Sequence, residues 1–459
     1  MAIRSRFFPS FRRLSSAASS AGPLLWSHAG EETSAPSSTV QILSWGRGSS
    51  GQLGGGKEEI RFYPTPVASL RLPLDFRLAP VQGRLPLSPP PFPSQDSATA
   101  AAPIEVGISS GLFHSALLVD GRFWIWGKGD GGRLGSGDES SVFVPMLNPN
   151  LDGVRSISLG GIHSTALTRS GEVFTWGYGG FGALGHSVYH RELLPRVVNG
   201  SWKGRISHLA TSGAHTAALT DSGELYTWGR DEGDGRLGLG SGGGPGEGGS
   251  LGTPSKVNAL PVPAAAVSCG GFFTMALTSD GQVWSWGANS NFELGRGDRT
   301  SDWKPRLIPS LNDVRIIQIA CGGYHSLALT DNGKVLSWGH GGHGQLGHHS
   351  IQNQGVPLVI EALAQENIVF IACGGSSSAA VTDTGKLFMW GNARDCQLGV
   401  PGLPDVQPFP IEVKFLMEDE ELGPHHVISV AVGASHGMCL VARQCQLLED
   451  LPSRLYQTP

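Results

Sequence analysis

Short runs in which apolar and polar residues alternate recur along the whole chain, each five or six residues long and bounded by turn residues. His325-Ser326-Leu327-Ala328-Leu329 leads through Asp331-Asn332-Gly333 into Lys334-Val335-Leu336-Ser337-Trp338. Alternation of period two predicts strands, and Asp-Asn-Gly or Asp-Ser-Gly between two such runs predicts a hairpin. Glycine supplies the positive φ that a tight turn requires. A further short run comes before each hairpin, as at Val314 to Ala320 and Ile368 to Ala372. Each unit therefore holds about four short strands, which is one blade of a propeller.

The unit repeats with a fixed period. Trp-Gly occurs at Trp45, Trp126, Trp176, Trp228, Trp286, Trp338 and Trp390, and Leu-Gly follows eight or nine residues later each time. From Trp126 onward the spacings are 50, 52, 58, 52 and 52 residues. A period of this size marks one supersecondary unit used repeatedly. A second signature, Gly-Gly-x-His-Ser-x-Ala-Leu-Thr-x-x-Gly, is interleaved with the first, as in Gly322 to Gly333. Its histidine recurs as His114, His163, His215, His325 and His436, with Phe273 and Ser377 in the same slot of two further copies.

The two signatures are offset at the chain ends. Trp45 has no Gly-Gly-x-His hairpin before it, and the hairpin Gly433 to Val441 has no Trp-Gly after it. Pairing Val40 to Trp45 with the last strands would complete a seventh blade from both termini and leave no open sheet edge at the seam. The expected fold is all-β, a seven-bladed β-propeller over residues 39–444, with a C-terminal tail at 445–459.

On these residues the chain resembles the regulator of chromosome condensation repeat family, whose members are seven-bladed propellers. Kelch and WD propellers have similar periods. The WD dipeptide is absent, and kelch repeats place their tryptophan differently relative to Gly-Gly.

Composition refines this picture. Residues 1–30 hold Arg4, Arg6, Arg12 and Arg13, many serines and no acid, the pattern of an organelle transit peptide. Mitochondrial targeting is expected, with the chloroplast as the alternative. Losing four arginines takes the formal charge from −5 to −9. So acidic a ring is not a general DNA binder. No apolar stretch reaches the roughly 20 residues of a membrane span. Six cysteines in 459 residues make no disulfide framework. Cys269, Cys321 and Cys373 occupy one repeat position and read as packing residues. Residues 71–102 are proline-rich and 240–252 glycine-rich, so a disordered insert and a flexible loop are expected there. Glu418 to Glu421 reads as a solvated loop.

No catalytic constellation emerges, and no catalytic, cofactor-binding or metal site is assigned. A catalytic residue is needed once, whereas the histidine recurs in five of seven slots; hydrogen bonds to backbone are its expected role. His340, His343, His348 and His349 cluster without a cysteine or carboxylate beside them to complete a metal site. Strings such as Gly127-Lys128-Gly129-Asp130-Gly131-Gly132 lead to Leu-Gly, not to the Lys-Ser or Lys-Thr of a phosphate loop. Trp202 and Trp303 lie outside the repeat and read as rim packing, or as partner anchors if exposed.

The resemblance implies more than the residues do. Exchange-factor members act on a small GTPase through one face and an inserted β-wedge, and the inserts here are poor in strand formers. Light-sensing members carry tryptophan where this chain has Leu112, Gly161, Gly213, Gly271, Gly323, Gly375 and Ala434. A plant mitochondrial branch is linked to organelle transcript processing, splicing and respiratory complex I biogenesis. That branch fits best: a non-enzymatic scaffold in the matrix, without cofactor, for mitochondrial protein partners, RNA-processing factors or RNA. Guanine-nucleotide exchange on a small GTPase and mitochondrial ribosome assembly are the alternatives.

Overall fold

Each alternating run becomes a strand, and four consecutive strands form an antiparallel meander. In blade 5 these are Ile316–Cys321, His325–Thr330, Val335–Gly339 and Gln354–Val359, from the centre of the ring outward. The second strand is buried along its whole length because neighbouring blades cover both of its faces. The fourth strand of each meander carries proline: Pro66, Pro145, Pro195, Pro254, Pro305, Pro357 and Pro408. Proline has no N–H to offer, so these edges are poor templates for another chain. The computed structural model describes residues 22–27, 37–86, 103–231, 233–240, 249–415, 424–443 and 455–456.

Seven such sheets form a closed propeller. Ser37–Arg47 lies between His436–Arg443 and Ile60–Pro73, with Gln41 opposite Val441 and Trp45 opposite Gly437. The seam blade thus takes strands from both chain ends, as the offset signatures predict.

The two sequence signatures meet in one joint between blades. Trp176 donates its indole N–H to the Arg133 carbonyl at 2.9 Å, and Arg133 immediately precedes Leu134-Gly135 of the preceding blade. The same bond joins Trp45 to Gln397, Trp126 to Gln52, Trp228 to Ala183, Trp338 to Glu293 and Trp390 to Gln345. The glycine of each Leu-Gly lies on the indole it serves. A Cβ on Gly295 would sit 2.8 Å from Trp338 Nε1. Trp-Gly and Leu-Gly recur together because they are two halves of one contact.

Four boundaries read from the sequence need correction. Residues 71–86 are not a disordered insert. Arg71, Leu72 and Pro73 end the outer seam strand, and Arg77–Leu78 pairs in parallel with Glu105–Ser110. Residues 79–86 then enter the central channel. The Pro80 carbonyl accepts from Ser156 Oγ, and Gly83 N donates to the Val267 carbonyl at 2.8 Å. Ile319 N donates to the Gly83 carbonyl, and Leu85 N to that of Ile317. Main-chain bonding of this kind needs no hydrophobic period, so composition misleads here. Residues 87–102 lie outside the described part.

In the glycine-rich loop, Ser250, Leu251 and Gly252 belong to the outer strand Ser250–Lys256, and 241–248 are not described. Within the expected transit peptide, Leu24–Ser27 is a fifth strand of the seam sheet. Within the expected tail, Leu455 and Tyr456 are buried against the core of the seam blade. Burial of apolar side chains offsets the ordering of these short segments. The acidic stretch Glu418 to Glu421 and Cys445 fall outside the described residues.

Candidate binding face

The recurrent histidines build the ring. Nε2 of His114, His163, His215, His325 and His436 bonds a hydroxyl of the next blade: Ser164, Thr216, Thr274, Ser378 and Ser115, at 2.8–3.0 Å. Each hydroxyl donates onward to a loop carbonyl, that of Arg133, Ala183, Arg236, Gln345 or Gln52. The hydroxyl proton being spent there, the histidine donates from Nε2–H. This corrects the expected backbone partner: the imidazole bonds a side chain across the blade interface. Their Nδ1 atoms are buried, and among the described residues none bonds them. Burial, which penalises the charged form, pushes His163 and His436 down to about 4 and His325 to about 3. Phe273 fills the slot by packing, and Ser377 bonds the Asn392 carbonyl.

The other candidates disperse. Cys321 and Cys373 each bond a carbonyl of the preceding blade, at 3.6 and 3.4 Å, and burial raises the thiols of Cys269, Cys321 and Cys373. His348 bonds Ser337, His349 stacks on Phe409, and Gln345 donates to His340 Nδ1. Among the described residues, no three His, Cys, Asp or Glu side chains could hold a metal. Trp202 packs edge-on to Tyr226, and Trp303 lies against Gly235; both are rim packing.

The ring has two unlike faces. One carries the Gly-Gly-x-His turns, which are linked in a belt: Leu112 N to Gly160 O, Gly161 N to Ser212 O, Gly271 N to Gly322 O, Gly323 N to Gly375 O, Gly375 N to Gly433 O and Ala434 N to Leu112 O. Ser212 Oγ bonds the Gly270 carbonyl and completes it. The opposite face carries the Asp-x-Gly turns. There the channel mouth is filled by the chain itself, since residues 79–86 enter and leave beside the first residues of inner strands. Tyr456 donates to the Ile428 carbonyl on the same side.

Side chains on the open face come from two slots that vary between repeats. One is the residue before the histidine, the other the residue after Trp-Gly. They adjoin in every blade: His340 N donates to the Tyr324 carbonyl, Lys128 N to Phe113 and Tyr178 N to Ile162, each at 2.9–3.0 Å. Tyr324 and Phe272 stack with centroids 5.2 Å apart, and the Arg236 guanidinium lies 4.7 Å from the Phe272 ring. His340 meets Tyr324 edge-on, and His343 lies 5.7 Å from His340. Farther round, Tyr178 meets Phe181, which Arg230 covers at 4.3 Å. Tyr324 and Tyr178 are each about 40% exposed. In the two blades that follow Tyr324 and His340 the same slots hold Ser376, Asn392, Ser435 and Arg47. Four ion pairs lie on this face: Arg47 with Asp395, Lys128 with Asp130, Arg191 with Glu139 and Arg394 with Asp405. The face offers aromatic anchors with Arg230 and Arg236 stacked on them, the residue types that anchor protein partners.

The RCC1-like domain model matches residues 41–439. The chain belongs to the RCC1-like family. It is 66% identical to the mitochondrial RCC1 domain-containing protein RUG3 of Arabidopsis thaliana over 409 residues, covering 88% of this chain and 89% of the relative. It is 33% identical to the ultraviolet-B receptor UVR8 of the same plant, over 76% and 77% of the two chains. Among solved structures, yeast RCC1 (Prp20), bound in its crystal to Kap60, superposes with a TM-score of 0.72 at 20% identity, covering 98% of this chain and 99% of that one. This last likeness shows a shared RCC1 propeller fold. The aromatic arc escapes a sequence reading that follows what repeats. Its signal is the reverse: two slots that vary between fixed neighbours.

Proposed function

We propose that this RCC1-like propeller is a non-enzymatic scaffold in the mitochondrial matrix. Its open face docks protein partners that process or splice organelle transcripts, and it thereby supports respiratory complex I biogenesis. The observation that carries the reading is the arc Phe272–Tyr324–His340 on the face of the Gly-Gly-x-His turns, with Tyr324 exposed and its two neighbours half-buried. The 66% identity to a mitochondrial relative and the arginine-rich N-terminus support the location. RNA is reached through those partners. The described part of the first insert fills the channel instead of projecting as a β-wedge, which counts against nucleotide exchange.

The test is affinity capture from mitochondria, with and without ribonuclease, alongside transcript profiling of a knockout. Protein partners that survive ribonuclease, are lost with Tyr324→Ala, and accompany unspliced or unprocessed transcripts are the expected result. Normal transcripts with fast, saturable nucleotide release from a small GTPase would overturn it. Normal transcripts with defective mitochondrial ribosomes would keep the scaffold and change its client.

A further inference from the structure

The N-terminal segment holds two parts with different fates. Arg4, Arg6, Arg12 and Arg13 all precede Gly22. Residues 22–27 are built into the ring. Ser69 N donates to the Pro23 carbonyl at 2.9 Å, and Leu24, Trp26 and Ser27 lie opposite Ser69, Leu70 and Arg71 in a parallel strand pair. Leu25 and Trp26 pack, half buried, against the core of the seam blade. Gly22 has φ +70°, and a Cβ there would lie 3.1 Å from Ala68 N.

The placement has a physical reason. The outer seam strand, Ile60–Pro73, is long, and prolines block its edge at Pro64 and Pro66. Ser69, Leu70 and Arg71 follow without proline, so their stretch would otherwise present bare main-chain groups. Leu24–Ser27 covers that stretch. The blade therefore protects its outer edge in two ways, by proline on one half and by a fifth strand on the other.

We propose that presequence removal stops before Gly22, so that the mature protein keeps residues 22–27 as the strand that closes the outer edge of the seam blade. This rests on the mitochondrial reading above. The discarded part carries every arginine of the targeting segment, and the retained part carries none. Targeting charge and structural strand are thus divided at Gly22.

Two measurements test this. The first is the N-terminus of the protein isolated from mitochondria, by mass spectrometry; it should fall between Leu14 and Gly22. A mitochondrial chain starting beyond Ser27 would overturn this inference alone. An unprocessed chain recovered outside mitochondria would overturn both the inference and the location beneath it. The second compares purified chains starting at residues 14, 22 and 31. The first two should melt together, and the third should melt roughly 2 °C or more lower and self-associate through its bared edge. Equal melting of all three, all monomeric, would overturn the structural role. Should the shortest chain not fold, Trp26→Asp in the chain starting at residue 14 gives the same comparison.

Discussion

Arg84 and Tyr456, separated by most of the chain, meet inside the central channel, with the guanidinium carbon 5.2 Å from the phenol ring. Arg84 also donates to Gln318 Oε1 and to the Val369 carbonyl, and Phe370 flanks it at 5.7 Å. Burial lowers Arg84 to about 10, so it stays charged at neutral pH, held by carbonyl oxygens and aromatic faces. The insert that follows the first outer strand and the last residues of the chain thereby hold each other in place.

Removing residues 455–459 should lower the unfolding free energy by about 1–3 kcal/mol, since it uncovers a buried guanidinium and deletes the buried Leu455. Tyr456→Phe, which loses only the bond to the Ile428 carbonyl, should cost about 1 kcal/mol. Urea titration of the three proteins checks the order. Deleting residues 79–86 should destabilise further, because their main chain bonds inner strands of three blades.

Acid should loosen the ring. His163, His325 and His436 sit at about 3–4 in the folded protein, against about 6.5 when unfolded, and burial lowers His114 and His215 as well. A depressed folded value means that the full contribution is present above pH 6.5 and is lost as pH falls toward 4, because the unfolded chain takes up the protons first. Each such histidine contributes a slope of up to about 1.4 kcal/mol per pH unit in that window. Urea midpoints measured from pH 7.5 to 4.5 should fall, and His163→Gln should flatten the fall while lowering stability at pH 7.5.

Two glycines with similar φ should respond differently to alanine. Gly153, at φ +68°, has no heavy atom within 4 Å of the place a Cβ would take, so Gly153→Ala should cost only the left-handed strain, about 1 kcal/mol. Gly295, at φ +70°, lies against Trp338, and Gly295→Ala should cost about 1–3 kcal/mol more. Denaturation of both variants, with Trp338 fluorescence as the local probe, reads the difference.

On the open face, Tyr324→Ala should reduce partner capture tenfold or more, about 1.4 kcal/mol, while shifting the melting temperature little. Ser376→Ala, on the polar side of the same face, should leave capture unchanged. Equal loss from both variants would move the docking surface off the arc.

The blades were legible because their signal is a covalent period. Trp176, Gly135, His163 and Thr216 each serve a joint between neighbouring blades, and any residue that does so in five or more blades is visible in one sequence. The seam was legible for the same reason, since half a joint remains at each chain end. What could not be read is used once. Gly83 is held by its main chain, and Leu24–Ser27 is too short to show a period beside four arginines. Tyr456 finds its partner across the ring. The open face was illegible in a different way: Tyr324 and His340 occupy slots that the repeat leaves free.

The seam also fixes how the ring gives way under a pull. Thr39 lies opposite Arg443, at the entry of one seam strand and the exit of the other. Once Leu24–Ser27 and Tyr456 have been stripped away, a force drawing the two chain ends apart acts across this pair, then across Val40 and Ala442, and so on in turn. Such loading peels a ladder rung by rung, whereas a strand pair dragged lengthwise must break all its rungs together. A motor protease that grips the C-terminus would first extract Tyr456 and then unzip the seam, opening the circle at the junction where its two ends meet.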